Sequence, residues 1–410
     1  MSVPAVQEIG IRQARVFLAI AECRSITGAA RALSRSQTSV TKALRELERQ
    51  VGEKLCERAA KGVQLTAFGE CLRDRAREAA RAFATAGRLV PPAALQRSSG
   101  MSRFFRMDVS DRWLDAFVAV AEHQSVAAAA EHLGVTPAAI SSSLRKLEET
   151  LAIGLFERTP GAIVPTPLGR ELTRYVKLAR SHLRSAGDEI AGLRGAQRGR
   201  VVVGTLPLTR TIIVPRAVAR LLETHPWLDV STVEGPYEDL VAGLRCGDID
   251  LVVGALRENP ADTDLLEEPM FRDGLSVIVR TGHPLTRRHR PDWEELLRCP
   301  WILPRRGTPA RTLFEQSLAA RGLALPRQVV ETSSLVMLRG LLLESDRVTV
   351  LSRHQVRFEE QAGLLAVLPF RLDGTERPVG ITRRRLGSLS PAAELLAKEL
   401  HRAAAEFFPA

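Results

Sequence analysis

The stretch Ser125–Gly169, SVAAAAEHLGVTPAAISSSLRKLEETLAIGLFERTPGAIVPTPLG, repeats the earlier stretch Ser25–Gly69, SITGAARALSRSQTSVTKALRELERQVGEKLCERAAKGVQLTAFG, without a gap at an offset of 100 residues. Apolar positions match at helical spacing, as in Phe17/Phe117, Leu33/Leu133, Leu44/Leu144, Leu47/Leu147 and Leu55/Leu155. Several others match as well: Ser25/Ser125, Arg45/Arg145, Glu48/Glu148, Thr66/Thr166 and Gly69/Gly169. Two copies are too few for a solenoid, so the front of the chain reads as a tandem domain duplication.

Each copy reads as a helix-turn-helix. In the second, Leu114, Phe117, Val118 and Ala121 form one apolar helix face. Ser125 caps the next helix, VAAAAEHL, and Gly134 ends it. Thr136 and Pro137 open a third helix as N-cap and first-turn proline. Its inward stripe is Ile140, Leu144 and Leu147, which leaves Ser141, Ser142 and Arg145 outside. In the first copy the third helix begins near Gln37 and presents Gln37, Thr38, Thr41, Lys42 and Arg45. These types suit duplex DNA, because Gln pairs with adenine and Arg with guanine edges, while Lys anchors phosphate.

The charge supports that reading. The chain has 410 residues and a formal net charge of +11, which calls for an anionic partner. Residues 1–100 hold 17 Lys and Arg against 9 Asp and Glu, residues 101–197 hold 12 against 11, and residues 198–410 hold 29 against 27. The excess sits on the first copy. On this basis the first copy adds phosphate contacts.

Both quoted stretches resemble the winged helix-turn-helix of LysR-type transcriptional regulators, from the helix-turn-helix through the wing to the start of the next helix. Cys56 stands where that pattern has a Phe, kept as Phe156, and Pro137 stands where it has the Gln kept as Gln37. The resemblance implies a regulator that binds double-stranded DNA, is not an enzyme and needs no cofactor or metal. It further implies self-association, as a dimer or a tetramer, through a long helix after the wing. Leu168, Leu172, Tyr175, Ala179, Leu183 and Ile190 recur near helical spacing in that place. The domains are then 9–66 and 108–166 for the two winged helix-turn-helices, with a helix and linker over 67–107. The dimerisation helix occupies 167–197 and an effector domain 198–404. The Pro- and Ser-rich stretch Leu89–Met107 is the inter-copy linker.

After Arg200 short β-branched runs such as VVVG and DIDLVVG alternate with helical stretches, the rhythm of a parallel sheet with helices on both faces. By resemblance this half is a two-lobed α/β domain of the type 2 periplasmic-binding-protein fold, so the fold class is α plus α/β. Its lobes are 199–267 with 364–404, and 268–363, and they clasp a small polar molecule, anionic or sugar-like. In open α/β sheets ligands meet the loops beyond the strands' carboxyl ends. That selects the loop from Thr205 to Arg210 after the first strand and the later loops Glu234 to Tyr237, Ala255 to Arg257, Arg305 to Thr308 and Thr332 to Ser334. The candidate contacts in them are Thr205, Leu206, Pro207, Thr209, Glu234, Arg257, Arg305, Thr308 and Ser333. The pieces GTLPL, EGPYEDL and GALR resemble a branch of the family containing regulators of sugar-binding-protein and aromatic-acid genes; no effector follows from them.

Five scattered cysteines without CxxC spacing argue against a disulfide framework or a zinc site and suit a reducing cytoplasm. No apolar run is long enough for a membrane helix. Two rival readings remain: a ligand-independent architectural DNA-binding protein, and an enzyme on the two-lobed scaffold. The first has no need of a two-lobed domain. The second lacks any HExxH, GxSxG or GxxxxGK[ST] motif.

Overall fold

The computed structural model describes residues 8–59, 62–89, 109–194, 199–257, 264–289 and 291–408. Apart from Leu89, the proposed linker lies outside them. The chain divides into two compact units, Met1–Arg200 with short pieces at 227–229 and 245–248, and the rest.

The first unit contains the duplication. Helices α1 (Ile11–Cys23), α2 (Ile26–Ala32) and α3 (Gln37–Val51) precede a hairpin of β1 (Cys56–Ala59) and β2 (Gly62–Leu65), then a long helix α4 (Ala67–Leu89). The same order returns as α5 (Asp111–His123), α6 (Val126–Leu133), α7 (Pro137–Leu151), β3 (Phe156–Thr159), β4 (Ala162–Pro165) and α8 (Pro167–Leu193).

The residues that match between copies are those that fasten wing to helices. Ser25 and Ser125 cap α2 and α6 by accepting from the N–H of Gly28 and Ala128 at 3.1 and 3.3 Å. Glu48 and Glu148 accept from the N–H of Leu55 and Leu155 at 3.0 and 2.7 Å. Thr66 and Thr166 cap the long helices through Gly69 and Gly169, at 3.1 and 3.0 Å. At those glycines a Cβ would sit 2.1 and 2.2 Å from the carbonyl oxygens of Leu55 and Leu155, so only glycine lets the helix start so close to the wing. The substitution at Cys56 is a local one. Phe156 packs edge-on against Phe117 at 5.6 Å between ring centres, while Cys56 is a half-buried thiol pushed up to about 12 by burial and then by Glu48.

The long helices bind the two copies together. Each carries the same apolar stripe: Leu72, Ala76, Ala79, Phe83 and Ala86 on α4, and Leu172, Val176, Ala179, Leu183 and Ala186 on α8, all buried. The steps alternate between four and three residues, the seam of a coiled-coil pair. The helices run antiparallel, because Cys71 and Arg75 meet Glu189 whereas the later Glu78 meets the earlier His182. One apolar core runs through both copies, from Ile9 to Ile190.

A polar cluster lies beside that seam. Arg75 Nε donates to Glu189 at 2.7 Å, its Nη2 binds the same oxygen, and its Nη1 lies 3.3 Å from Glu78. His182 Nδ1 is 3.0 Å from Glu78. The Cys71 thiol donates to Glu189 at 3.1 Å and its pKa is raised, by burial first and then by that carboxylate. The Arg75 side chain is 5% exposed and that of Glu189 19%.

The second unit is built on two five-stranded sheets. The first has the order β6-β5-β7-β14-β8 and the second β11-β10-β12-β9-β13. Their strands are β5 (Gly199–Thr205), β6 (Leu228–Glu234), β7 (Leu251–Ala255), β8 (Leu265–Asp273), β9 (Ser276–Arg280), β10 (Trp301–Leu303), β11 (Val329–Glu331), β12 (Val348–Leu351), β13 (Leu365–Val367) and β14 (Arg377–Arg384). The accompanying helices are α9 (Ile213–Thr224), α10 (Tyr237–Cys246), α11 (Trp293–Arg298), α12 (Pro309–Ala319), α13 (Leu335–Leu343), α14 (Arg357–Gln361) and α15 (Pro391–Phe407).

Two expectations are corrected here. The sheets are mixed rather than parallel: β14 runs antiparallel to both β7 and β8, and β9 antiparallel to β12 and β13. The lobe limits also move. The first sheet keeps the chain to Asp273, and Leu365–Val367 still belongs to the second. At the crossing Asp273 accepts from Ser352 at 2.7 Å and pairs with Arg377 at 3.4 Å, all three buried. Among the described residues no helix is long and apolar enough to cross a membrane.

Glu189→Ala should destabilise the first unit by about 3 kcal/mol, the low end for breaking a buried pair, because Glu78 stays beside Arg75. Amide exchange along α8 under increasing urea measures this. Removing the exposed Glu294, paired with Arg298 in α11, should leave that exchange unchanged.

Candidate functional site

The helix-turn-helix geometry follows from two caps. Ser36 accepts from Ser39 N–H at 3.2 Å and starts α3, and Thr136 accepts from Ala139 N–H at 3.3 Å and starts α7. Val40, Leu44 and Leu47 on α3, and Ile140, Leu144 and Leu147 on α7, are buried. The opposite faces are thereby turned outward. Gln37, Thr38, Lys42 and Arg45 are exposed, as are Ser141, Ser142 and Arg145. Thr41 is half-buried and its hydroxyl donates to the Gln37 carbonyl at 2.9 Å. Lys42, Arg45 and Arg145 make no ion pair among the described residues. Their cationic heads are free for phosphate or base edges.

The second-unit residues fall into two small groups and one outlier. Thr205 ends β5, is buried, and its carbonyl accepts from Arg210 Nε at 3.1 Å; Arg210 also pairs with exposed Glu234 at 3.0 Å. Burial lowers the Arg210 pKa and Glu234 counters this. The second group joins the two lobes. The Arg257 guanidinium lies 4.5 Å from the ring centre of Tyr237, and its Nη1 donates to the Gly307 carbonyl at 3.4 Å. Its Nε is buried with no hydrogen-bond partner among the described residues. Thr308 precedes α12 with its hydroxyl on the Arg305 carbonyl at 2.7 Å, and Arg305 is exposed. Pro207 is half-buried, and Leu206 is half-buried over Gly254, where a Cβ would meet it at 2.5 Å. Ser333 is exposed ahead of α13.

Thr209 is corrected. It is fully buried, and its hydroxyl donates within the fold, to the carbonyls of Leu206 and Val253 at 3.1 Å each. It holds the loop after β5 to β7 and offers nothing to a ligand. Arg210 and Tyr237 both lie in loops that the sequence selects, 205–210 and 234–237, though nothing in the sequence marks Arg210 as the partner of Glu234 or Tyr237 as the ring beneath Arg257. Among the described residues no group of three or more His, Cys, Asp or Glu could hold a metal ion.

Two outward recognition helices and a two-lobed α/β domain define a DNA-binding regulator with a ligand-binding module. Comparison with known proteins makes this particular. Residues 194–405 match the LysR substrate binding domain, and residues 11–70 and 112–170 each match the bacterial regulatory helix-turn-helix protein of the lysR family. The chain belongs to the LysR family of transcriptional regulators.

The HTH-type transcriptional regulator GalR of Pseudomonas putida is 37% identical over 386 residues, 94% of this chain and 95% of that protein. An alignment of that span has to include most of the first copy. PcaQ of Agrobacterium fabrum is 33% identical over 298 residues, 96% of its own length but 72% of this chain. Among solved structures, a full-length OxyR variant from Pseudomonas aeruginosa matches with a TM-score of 0.53 and 25% identity, over 72% of this chain and 94% of that one. A full-length CbnR structure, solved with its target DNA, shares the fold at a TM-score of 0.52 and 20% identity, covering 71% and 99%.

Replacing Lys42 by Ala should weaken DNA binding about equally on all sequences and flatten the dependence of log affinity on log salt by about 0.9, the signature of one phosphate contact. Fluorescence anisotropy over a salt series measures it.

Proposed function

We propose that this regulator reads base edges with Arg45 and Arg145, anchors phosphate with Lys42, and responds to a small anionic molecule bound between the lobes of its second unit. Gln37, Thr38, Thr41, Ser141 and Ser142 complete the DNA-facing surface. It acts where DNA lies, in the cytoplasm, and its five cysteines, none in a disulfide, suit that reducing compartment.

The observation that carries the effector reading is Arg257. Its guanidinium is fixed by stacking on Tyr237 and by the Gly307 carbonyl of the other lobe, yet Nε, a buried donor, has no acceptor among the described residues. An unmade hydrogen bond at a buried charged donor is costly. A carboxylate entering beside it supplies the acceptor, and the Gly307 contact brings the 305–308 loop, which leads into α12, next to Arg257. Exposed Arg305 adds positive charge. An anion therefore fits better than a neutral sugar, whose hydroxyls would need acceptors that arginines cannot provide.

A thermal-shift screen of small carboxylates and neutral sugars on the full chain tests this. A ligand at about 100 times its dissociation constant stabilises its fold by about 2.7 kcal/mol. Carboxylates should give the hits, and Arg257→Ala should remove their stabilisation. Hits confined to sugars, or an unchanged shift in the Arg257 variant, would place recognition elsewhere.

A further inference from the structure

We propose that a single chain holds both halves of a DNA-reading pair, and that the two copies read two different half-sites of a non-palindromic operator. This rests on the DNA-reading role of α3 and α7 argued above and adds which copies pair and what they read.

In a symmetric dimer the contact surface is the same on both partners, and residues near the axis meet their own equivalents. The first unit has that geometry inside one chain. The backbone N–H of Ile11 donates to Asp111 Oδ1 at 2.9 Å, a contact between positions that the repeat makes equivalent. The apolar stripes of α4 and α8 occupy equivalent positions and face one another in antiparallel order. The two copies are thus related as two subunits would be, and the recognition helices α3 and α7 are the symmetry-related pair.

The polar cluster shows why the pairing stays within the chain. The repeat equivalents of Arg75, Glu78, His182 and Glu189 are Tyr175, Leu178, Ala82 and Leu89. Pairing α8 with a second α8 would set Glu189 against Tyr175 and His182 against Leu178. A pair of α4 helices would set Arg75 against Leu89 and Glu78 against Ala82. Arg75 and Glu78 would keep each other within α4, but Glu189 would lose Arg75 and His182 would lose Glu78, so the four-residue cluster is complete only where α4 meets α8. The cluster therefore selects unlike helices.

Unlike readers require unlike targets. Along the recognition helices Gln37 answers Pro137, Thr38 answers Ala138, and Lys42 answers Ser142, while Arg45 and Arg145 match. Each copy keeps an outward arginine, but the first has an amide at Gln37 and a cation at Lys42, whereas the second has a cation at Lys146 where the first has Glu46. A half-site pair with one shared guanine contact and differing flanks follows. Two chains then carry the four recognition helices that four single-copy chains would supply.

Operator variants with every base pair substituted in turn, bound to the full-length wild type and to Arg45→Ala and Arg145→Ala, test the assignment. Each variant should lose base preference in one half-site only, and the two should lose it in opposite half-sites. One variant affecting both half-sites while the other is silent would mean that two chains present the same copy, and would overturn the proposal. Silence of both would remove the DNA contacts on which it rests and overturn it too.

A second measurement judges the pairing apart from DNA. With the five native cysteines replaced by serine, Glu78→Cys together with His182→Cys should oxidise to a cross-link within one chain, read as a single-chain band on a non-reducing gel. A two-chain band would show that α4 pairs with the α8 of another copy, and would also overturn the proposal.

Discussion

The ion pair of Arg75 with Glu189, set beside an alanine-rich seam, is the constraint on which the first unit depends. Each long helix carries an apolar stripe that water would expose if the helix stood alone. Small residues at the crossing, Ala76 and Ala79 on one helix and Ala179 and Ala186 on the other, let the backbones approach closely. A buried ion pair adds little net stability, since its desolvation offsets much of the attraction, but removing one partner is costly. What it contributes here is choice of partner. The two copies therefore fold as one object with a common core, and the first copy covers the face of α8 that would otherwise need another subunit. Deleting the first copy would expose that stripe, so its loss cannot read out phosphate contacts alone.

The duplication was legible because the matched residues act locally. A cap serine, a wing-fastening glutamate and a glycine under a carbonyl do their work within about a dozen residues, and their order survives as spacing. The pairing of α4 with α8 was not legible. Arg75, Glu78 and Glu189 look in sequence like the solvated face of a charged helix, and the partner that buries them lies over a hundred positions away. The second unit shows the same limit. β-branched runs mark strands, but nothing in the run Arg377–Arg384 says that it inserts antiparallel between β7 and β8. Strand direction is set by long-range pairing, which periodicity does not record.

The effector cleft separates the two kinds of information within a few residues. Thr205 and Thr209 both follow the first strand and look alike as candidate ligand contacts. One hydroxyl turns back to two carbonyls and closes the loop, and the other sits beneath Arg210. Hydroxyls at strand ends satisfy the backbone as readily as they meet a ligand, so spacing alone cannot sort them. Arginine differs, because a guanidinium has five donors and seldom finds acceptors for all of them inside a loop. Arg257, stacked and under-satisfied, is where the fold leaves room for an anion, and its bond to Gly307 ties that room to the approach of the two lobes.

These features describe a regulator in which gene duplication has replaced a subunit contact by a covalent one, freeing the two recognition helices to diverge. The number of chains per operator tests that most directly. Full-length protein is titrated into a labelled duplex bearing one pair of half-sites, at concentrations far above the dissociation constant, and the break point of the anisotropy curve gives the ratio whatever the assembly state. One chain per duplex is the result this account predicts. A break at two chains per duplex would contradict it.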